Sequence, residues 1–406
     1  MSVEIAADPP ETDTAAQSPD IRAEVLATVV AAESVLSKRF GARIQLGDPE
    51  DLGGSDRSIV LRVKVASSPF ALPRTLAVKR YVHPDGATPR DSWIREAVSY
   101  QLFTALSAED RMCPELFAHD GGTNLLVMED LGRAPTLSEK LHGTDARAAE
   151  RALLSWARSL GRMHATTAGR EADFDALLRR LSPPVTKDPL SIEGPIAINA
   201  LPGLLRDHLG LDTGEEAMEG ARQALGLLET AGHRAFSPSD SCPDNNLITS
   251  RGVRFLDFEG GCVRNMMFDA AYLTVPFPSC WCAYALPAGM AEAMLAAWRA
   301  EVRVMWPDLG EDAVLLPRLL DAQVFWVWLT TWHFLAAPED RRVGSDGPLD
   351  IPHQGEVLVA RWEELAKAAR RCAVAPVAEH ADSVASALRA RFGDRSLPLY
   401  PAFEER

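Results

Sequence analysis

The sequence predicts an α+β fold in two lobes, a small antiparallel β-rich N-lobe followed by a large, mainly helical C-lobe. Three observations predict it. Apolar residues alternate at 59–65 and again at 76–82, as in half-buried strands. From residue 146 onward they recur at helical spacing. One polar stretch, FSPSDSCPDNNLITSRGVRFLDFEGG at 236–261, interrupts those helices with two short strand-like runs that end in Asp240, Asn245, Asp257 and Glu259.

A chain of 406 residues exceeds one small core, so two lobes are expected. We expect a tail at 1–19, an N-lobe at 20–132 and a C-lobe at 133–406. Apolar content of 47% and charged content of 24% are those of an ordinary globular chain. A formal net charge of −15 argues against nucleic acid as a partner, because phosphate neutralisation needs clustered Lys and Arg. It fits an acidic surface in water or a cationic small substrate. Cys113, Cys242, Cys262, Cys280, Cys282 and Cys372 are scattered, as reduced thiols in a cytoplasmic protein would be, and the Cys280–Cys282 pair has no second pair at zinc spacing. The first twenty residues lack the basic and apolar regions of a secretory signal. No uninterrupted run of 18 apolar residues occurs, so no membrane-crossing helix is expected.

The elements follow in order. Val25, Leu26, Val29, Leu36 and Phe40 share a helical face over 21–40, capped by Asp20. Ile59, Leu61, Val63 and Val65, then Leu76, Val78 and Val82, read as two antiparallel strands, with a tight turn at Gly53-Gly54-Ser55 ahead of the first. A helix over 91–106 is followed by a strand within 124–132, and 132–135 reads as the lobe boundary. Helices are expected at 146–167, 202–211 and 215–231. Strands at 246–249 and 253–258 interrupt them, and further helices follow at 291–305, 318–335 and 354–375. The Ser250-Arg251-Gly252 turn would fold those two strands into a hairpin, with Asn245 and Asp257 side by side at its open end.

Lys79 shares a strand face with the small Ala77, and a lysine turned inward needs an anion. Glu96, with Tyr100 and Phe103 on the same helical face, is a suitable partner. Taken singly, Lys79 reads as a surface strand lysine and Glu96 as a solvated helix glutamate. Hard oxygen ligands at a hairpin mouth, Asn245 and Asp257, suit Mg²⁺, and Asp240 lies close enough in sequence to take a proton from a hydroxyl.

In order and local spacing, Lys79 in Leu76-Ala77-Val78-Lys79, Glu96, Asp240 with Asn245, and Asp257 before Phe258 resemble the kinase catalytic layout. The chain departs from protein kinases. It has Gly53-Gly54-Ser55 rather than a Gly-x-Gly-x-x-Gly loop, Asp257-Phe258-Glu259 rather than D-F-G, and Cys242 where protein kinases place a lysine. With LGRMHATT at 160–167 and Asp269-Ala270-Ala271-Tyr272, it resembles the aminoglycoside phosphotransferase and choline kinase-like superfamily of small-molecule kinases, which have a protein kinase-like fold. The resemblance spans residues 53–272 and leaves the C-terminal third unmatched.

It implies transfer of the γ-phosphate of ATP, with Mg²⁺, to a hydroxyl of an aminoglycoside, amino alcohol or sugar. Carried over by position, Gly53, Gly54 and Ser55 cover the phosphates, Lys79 binds them and Glu96 orients Lys79. Glu129, Asp130 and Leu131 form the hinge that meets adenine. Asp240 is the base, Asn245 and Asp257 hold Mg²⁺, Glu259 supports a second metal or its water, and Asp269 braces the catalytic loop. The family's histidine two residues before the catalytic Asp is Pro238 here, which puts the loop geometry in question. With the reduced glycine loop, Pro238 motivates the alternative of a nucleotide-binding pseudokinase or scaffold; a protein kinase is a third reading. His164 reads as a packing or helix-end residue, Trp328 and Trp332 as core or a cation-binding pair, and Trp281 and Tyr284 as candidate acceptor-pocket walls.

Overall fold

The computed structural model describes residues 19–55, 57–82, 90–181, 188–275, 277–280, 283–337 and 352–404. The expected tail, apart from Pro19, and Trp281 and Cys282 lie outside them. Contacts divide the chain into two compact units, one of residues 1–87 with 117–130 and one of 88–116 with 131–406.

The first unit holds α1 (Pro19–Phe40), β1 (Gln45–Ser55), β2 (Ser58–Ser67), β3 (Thr75–Tyr81), β4 (Leu116–Asp120) and β5 (Leu125–Glu129). The strands form one sheet in the order β1-β2-β3-β5-β4, with antiparallel pairing from β1 through β5. The alternation read from the sequence places Leu61, Val63, Leu76 and Val78 on one face, buried against Val29 and Leu36 of α1. The glycine turn is a correction: Gly53 to Ser55 are the last residues of β1, with Gly54 opposite Ile59 and Ser55 opposite Ser58. A side chain at Gly54 would overlap the Ser58 carbonyl, so only glycine lets the two strands close there.

The second unit begins with α2 (Arg90–Thr104), which the sequence reading had grouped with the strands. It continues through α3 (Leu137–Leu141), α4 (Ala146–Thr167), α5 (Glu171–Leu181), α6 (Pro189–Leu209) and α7 (Glu215–Leu225). The short strands β6 (Arg234–Ser237), β7 (Asn246–Thr249), β8 (Gly252–Phe255) and β9 (Cys262–Asn265) follow, then α8 (Met267–Ala270), α9 (Met290–Val302), α10 (Asp312–Ala336), α11 (Gln354–Arg371) and α12 (Ala375–Phe392). Helix α6 starts well before the expected residue 202, because Asp188 caps it, Pro189 fills its first turn, and Pro195 and Pro202 lie inside it. Gly210, at φ 65°, ends it. Helix α7 stops at Leu225 and tightens into a short 3₁₀ turn at Gly226–Leu228 instead of running to 231. The polar stretch forms two ribbons. β7 pairs with β8 as expected, while β6 pairs with β9, a strand that its four residues did not announce.

One expectation is corrected by α10. By length and composition this helix could cross a membrane, although it has no uninterrupted apolar run of 18. Most of it is buried, packed against α6, α7 and α11.

Candidate active site

The lobe-forming strands of the first unit carry the candidate nucleotide residues. Lys79 lies on the face of β3 opposite Leu76 and Val78, is buried, and its ammonium sits 5.0 Å from the Tyr81 ring centroid. Glu129 ends β5 opposite Leu76. The Asp130 carboxylate accepts from Arg62 Nε at 2.7 Å and Nη2 at 3.0 Å, and Glu50 accepts from Nη1 at 3.0 Å. The Asp130 side chain is thereby committed to a bidentate pair with Arg62. Leu131 begins the second unit.

In the second unit the hairpin read from the sequence forms, and Leu256 donates its N–H to the Asn245 carbonyl at 2.8 Å. This bond sets Asp257 one residue beyond Asn245's partner, so the two meet at the open end. Asp257 is not a strand residue: β8 stops at Phe255, and Asp257 turns the chain with φ 59°. The turn buries Phe258 among Tyr100, Phe103 and Phe236, at ring distances of 5.1, 5.7 and 5.1 Å. Tyr100 and Phe103 share the α2 face with the buried Glu96, as the spacing predicted. Arg95 of α2 also donates to the Gly261 carbonyl at 3.1 Å. Helix α2 therefore pins the Asp257-Phe258-Glu259 turn, which explains why it packs with the second unit. Burial pushes the Tyr100 phenol up, and the charges of Glu96, Cys113 and Asp257 add to it. Glu259 is half-buried in a turn closed by the Gly261 N–H on the Phe258 carbonyl at 2.9 Å.

Asp240 is the most heavily held group of the stretch. Its Oδ1 accepts from the Ser279 hydroxyl at 2.7 Å and the Cys242 N–H at 3.1 Å, and its Oδ2 accepts from the Asn245 amide at 3.4 Å. With its NH₂ turned to Asp240, Asn245 keeps its carbonyl oxygen for a cation. Asp244 lies in the same field. Burial raises its carboxyl, and Asp240 and Asp257 raise it further. Among the described residues no three His, Cys, Asp or Glu side chains form a ready-made metal cluster. The donor set is mixed instead, with carboxylates at Asp257 and Asp244 and an amide oxygen at Asn245, and their mutual repulsion is what a hard divalent cation relieves. That set fits Mg²⁺.

Pro238 leaves the loop without its histidine, and other residues support it. The Trp298 indole donates to His164 Nδ1 at 3.0 Å, so Nε2 carries the proton and meets Asp269 Oδ2 at 3.2 Å. Asp269 Oδ1 accepts from the Ser237 hydroxyl at 2.7 Å, and Ser237 Oγ accepts the Ser239 N–H at 3.1 Å. Ser239, at φ 70°, also receives the buried Arg264 guanidinium on its hydroxyl at 2.8 Å and the Tyr272 hydroxyl on its carbonyl at 3.2 Å. His164 is thus a buried link in this chain, where the sequence reading had it as a packing or helix-end residue. Arg264, Ser237 and Ser279 were not singled out at all. Each lies far in sequence from the residue it holds, except Ser237, whose position three residues before Asp240 was the available signal.

Cys242, in the position of a protein-kinase lysine, is no nucleophile. A hydrogen bond with Cys280 lowers its thiol, but burial and the charges of Asp240 and Asp244 leave it raised. No disulfide forms among the described cysteines.

A cavity of about 570 Å³ opens beside Asp240 and Ser279, between α6, α10 and α11. Trp326, rather than Trp328 or Trp332, lines it. Trp328 is buried against Trp362 and His380, and Trp332 stacks on His333. Tyr284 packs with His142 and Tyr400, away from the cavity lining.

No protein-family model matches this chain, and no curated protein matches it. Solved structures do. A choline/ethanolamine kinase family protein from Mesorhizobium loti is 16% identical, with 90% of this chain and 98% of that one covered and a TM-score of 0.47. A choline kinase from Streptococcus pneumoniae is 15% identical over 84% of this chain and 99% of its own, with a TM-score of 0.42. An amicoumacin kinase, solved with AMP-PNP and Ca²⁺, is 13% identical over 79% and 88%, with a TM-score of 0.44. These three solved structures cover 79–90% of this chain.

Proposed function

We propose that the protein is a phosphotransferase that moves the γ-phosphoryl group of ATP to a hydroxyl of a small molecule. The observation that carries this reading is Asp240, a carboxylate held by three donors, beside a cavity and in the same field as Asp257. In this reading the acceptor hydroxyl hydrogen-bonds to Asp240. Its oxygen forms the new O–P bond, its proton passes to the Asp240 carboxylate, and the bond from the γ-phosphorus to ADP breaks. Ser279 and the Cys242 N–H keep the carboxylate aimed while this happens. Asn245 and Asp257, with Asp244 nearby, would hold Mg²⁺, which neutralises phosphate charge when bound. In the first unit, Lys79 and the backbone of Gly53 to Ser55 would bind phosphate oxygens, and the backbone at 129–130 would meet the adenine.

Calorimetric titration with ATP, with and without Mg²⁺, tests the nucleotide half of the proposal. Asp240→Asn tests the chemical half: phosphotransfer falls at least about 10³-fold with ATP affinity retained. Full activity in that variant removes Asp240 as the base. Nucleotide binding with no turnover on any hydroxyl acceptor favours a scaffold instead.

A further inference from the structure

The cavity beside Asp240 carries chemistry of its own. Trp326, Leu329 and Phe334 of α10 face Val357 and Leu358 of α11, and all five are buried. The acids among the described residues of its lining are two, Asp240 and Glu193. Asp240 is engaged by Ser279, Cys242 and Asn245, as described above. Glu193 lies at the solvent side and meets His333 Nε2 at 3.2 Å, with both side chains about half exposed. A cation is also on the lining: Arg361, buried, donates to the Phe277 carbonyl at 2.7 Å. Burial lowers its guanidinium to about 10, so it stays charged at neutral pH. Among the described lining residues, a polycationic acceptor would meet this charge and a hydrocarbon wall, and no buried carboxylate beyond Asp240. The volume is that of a site for a drug-sized ligand, and sites of this kind bind through apolar walls with a few polar groups setting orientation.

Resting on the phosphotransfer reading for the role of Asp240, we propose that the acceptor is an uncharged alcohol with a hydrocarbon body. The body packs between α10 and α11, and the hydroxyl points to Asp240 and Ser279. The overall acidity of the chain, which suggested a cationic substrate, is reduced among the described walls to two acids facing one cation.

The test is direct binding to the full-length protein without nucleotide, using 1-octanol as the hydrocarbon probe and kanamycin as the polycationic one. Octanol is expected to bind with saturable heat, and kanamycin to give none in the cavity. Thr330→Arg and Ala337→Trp, at half-buried lining positions, should each weaken octanol at least 10-fold at unchanged melting temperature. The proposal is overturned by octanol binding that neither variant affects, by absence of octanol binding, or by kanamycin binding that the variants abolish. Formation of octyl phosphate from ATP is scored separately. Binding without turnover of octanol or any other alcohol that binds there counts against the phosphotransfer reading and leaves the ligand class of the cavity standing.

Discussion

Ser239 and Asp257 hold φ angles of 70° and 59°, a region that costs a non-glycine residue on the order of 1 kcal/mol. Both sit next to groups that the proposed chemistry needs in place. Ser239 is fixed by bonds at its N–H, hydroxyl and carbonyl, which together outweigh that cost. Arg264 is the member of this set that reaches in from another strand. Arg264→Ala is expected to lower kcat about 10- to 100-fold with the KM for ATP little changed, since it loosens Ser239 while leaving every reacting group in place. Steady-state kinetics on both substrates checks this, and a change in nucleotide KM alone would point elsewhere. Asn shares the tolerance of Asp257 for left-handed backbone and nearly its shape, so Asp257→Asn should fold like the parent and lose metal-dependent turnover, whereas Asp257→Val should also lose stability. Melting curves separate the two. The residue types that the proposal calls on were read from their spacing within local segments. Arg264 and Ser279 were not, because strand β9 and the 277–280 turn bring them in from distant sequence.

Helices α4 and α9 pack so closely that a side chain at Gly161 would place its Cβ 2.6 Å from the Trp298 carbonyl. Gly161→Val is expected to push them apart and cost about 1–3 kcal/mol, measured by urea unfolding. It should also impair turnover, because the Trp298 indole that steadies His164 rides on the displaced helix. A second prediction concerns α12. His380 lies against Trp328 of α10 and Trp362 of α11, and burial lowers its imidazole to about 4 from the usual 6.5. The folded protein therefore holds it neutral. Its contribution is fully present above pH 6.5 and is lost as pH falls from 6.5 towards 4. His380→Gln should lose less stability than the parent across that window, and urea midpoints at pH 7, 5.5 and 4.5 measure the difference. Elements with long periodic faces, such as α4 and α10, were legible in outline. Four-residue strands such as β6 and β9 were not, because so short a run carries no period, and α6 was misjudged because its prolines read as breakers when one of them opens the helix.

The residues that the proposal requires come from both units of the chain, Lys79 from the first and Asp240, Asn245 and Asp257 from the second. ATP with Mg²⁺ at about 100 times its Kd should stabilise the protein by about 2.7 kcal/mol, read as a rise in melting temperature. Lys79→Ala and Asp257→Ala should each remove most of that rise; a full rise in both would mean that nucleotide binds elsewhere. The division into a strand-rich and a helical part was legible from composition alone, but the assignment of α2 was not, because it depends on which unit Phe258 needs for its burial. The makeup of α10 also bears on an incomplete chain. Its Thr331 and Trp328 await Trp362, whose indole donates to the Thr331 hydroxyl at 2.9 Å across 31 residues of chain. A released chain that ends before residue 354 therefore leaves one side of a helix of membrane-spanning length and composition bare, a surface that the finished fold keeps inside.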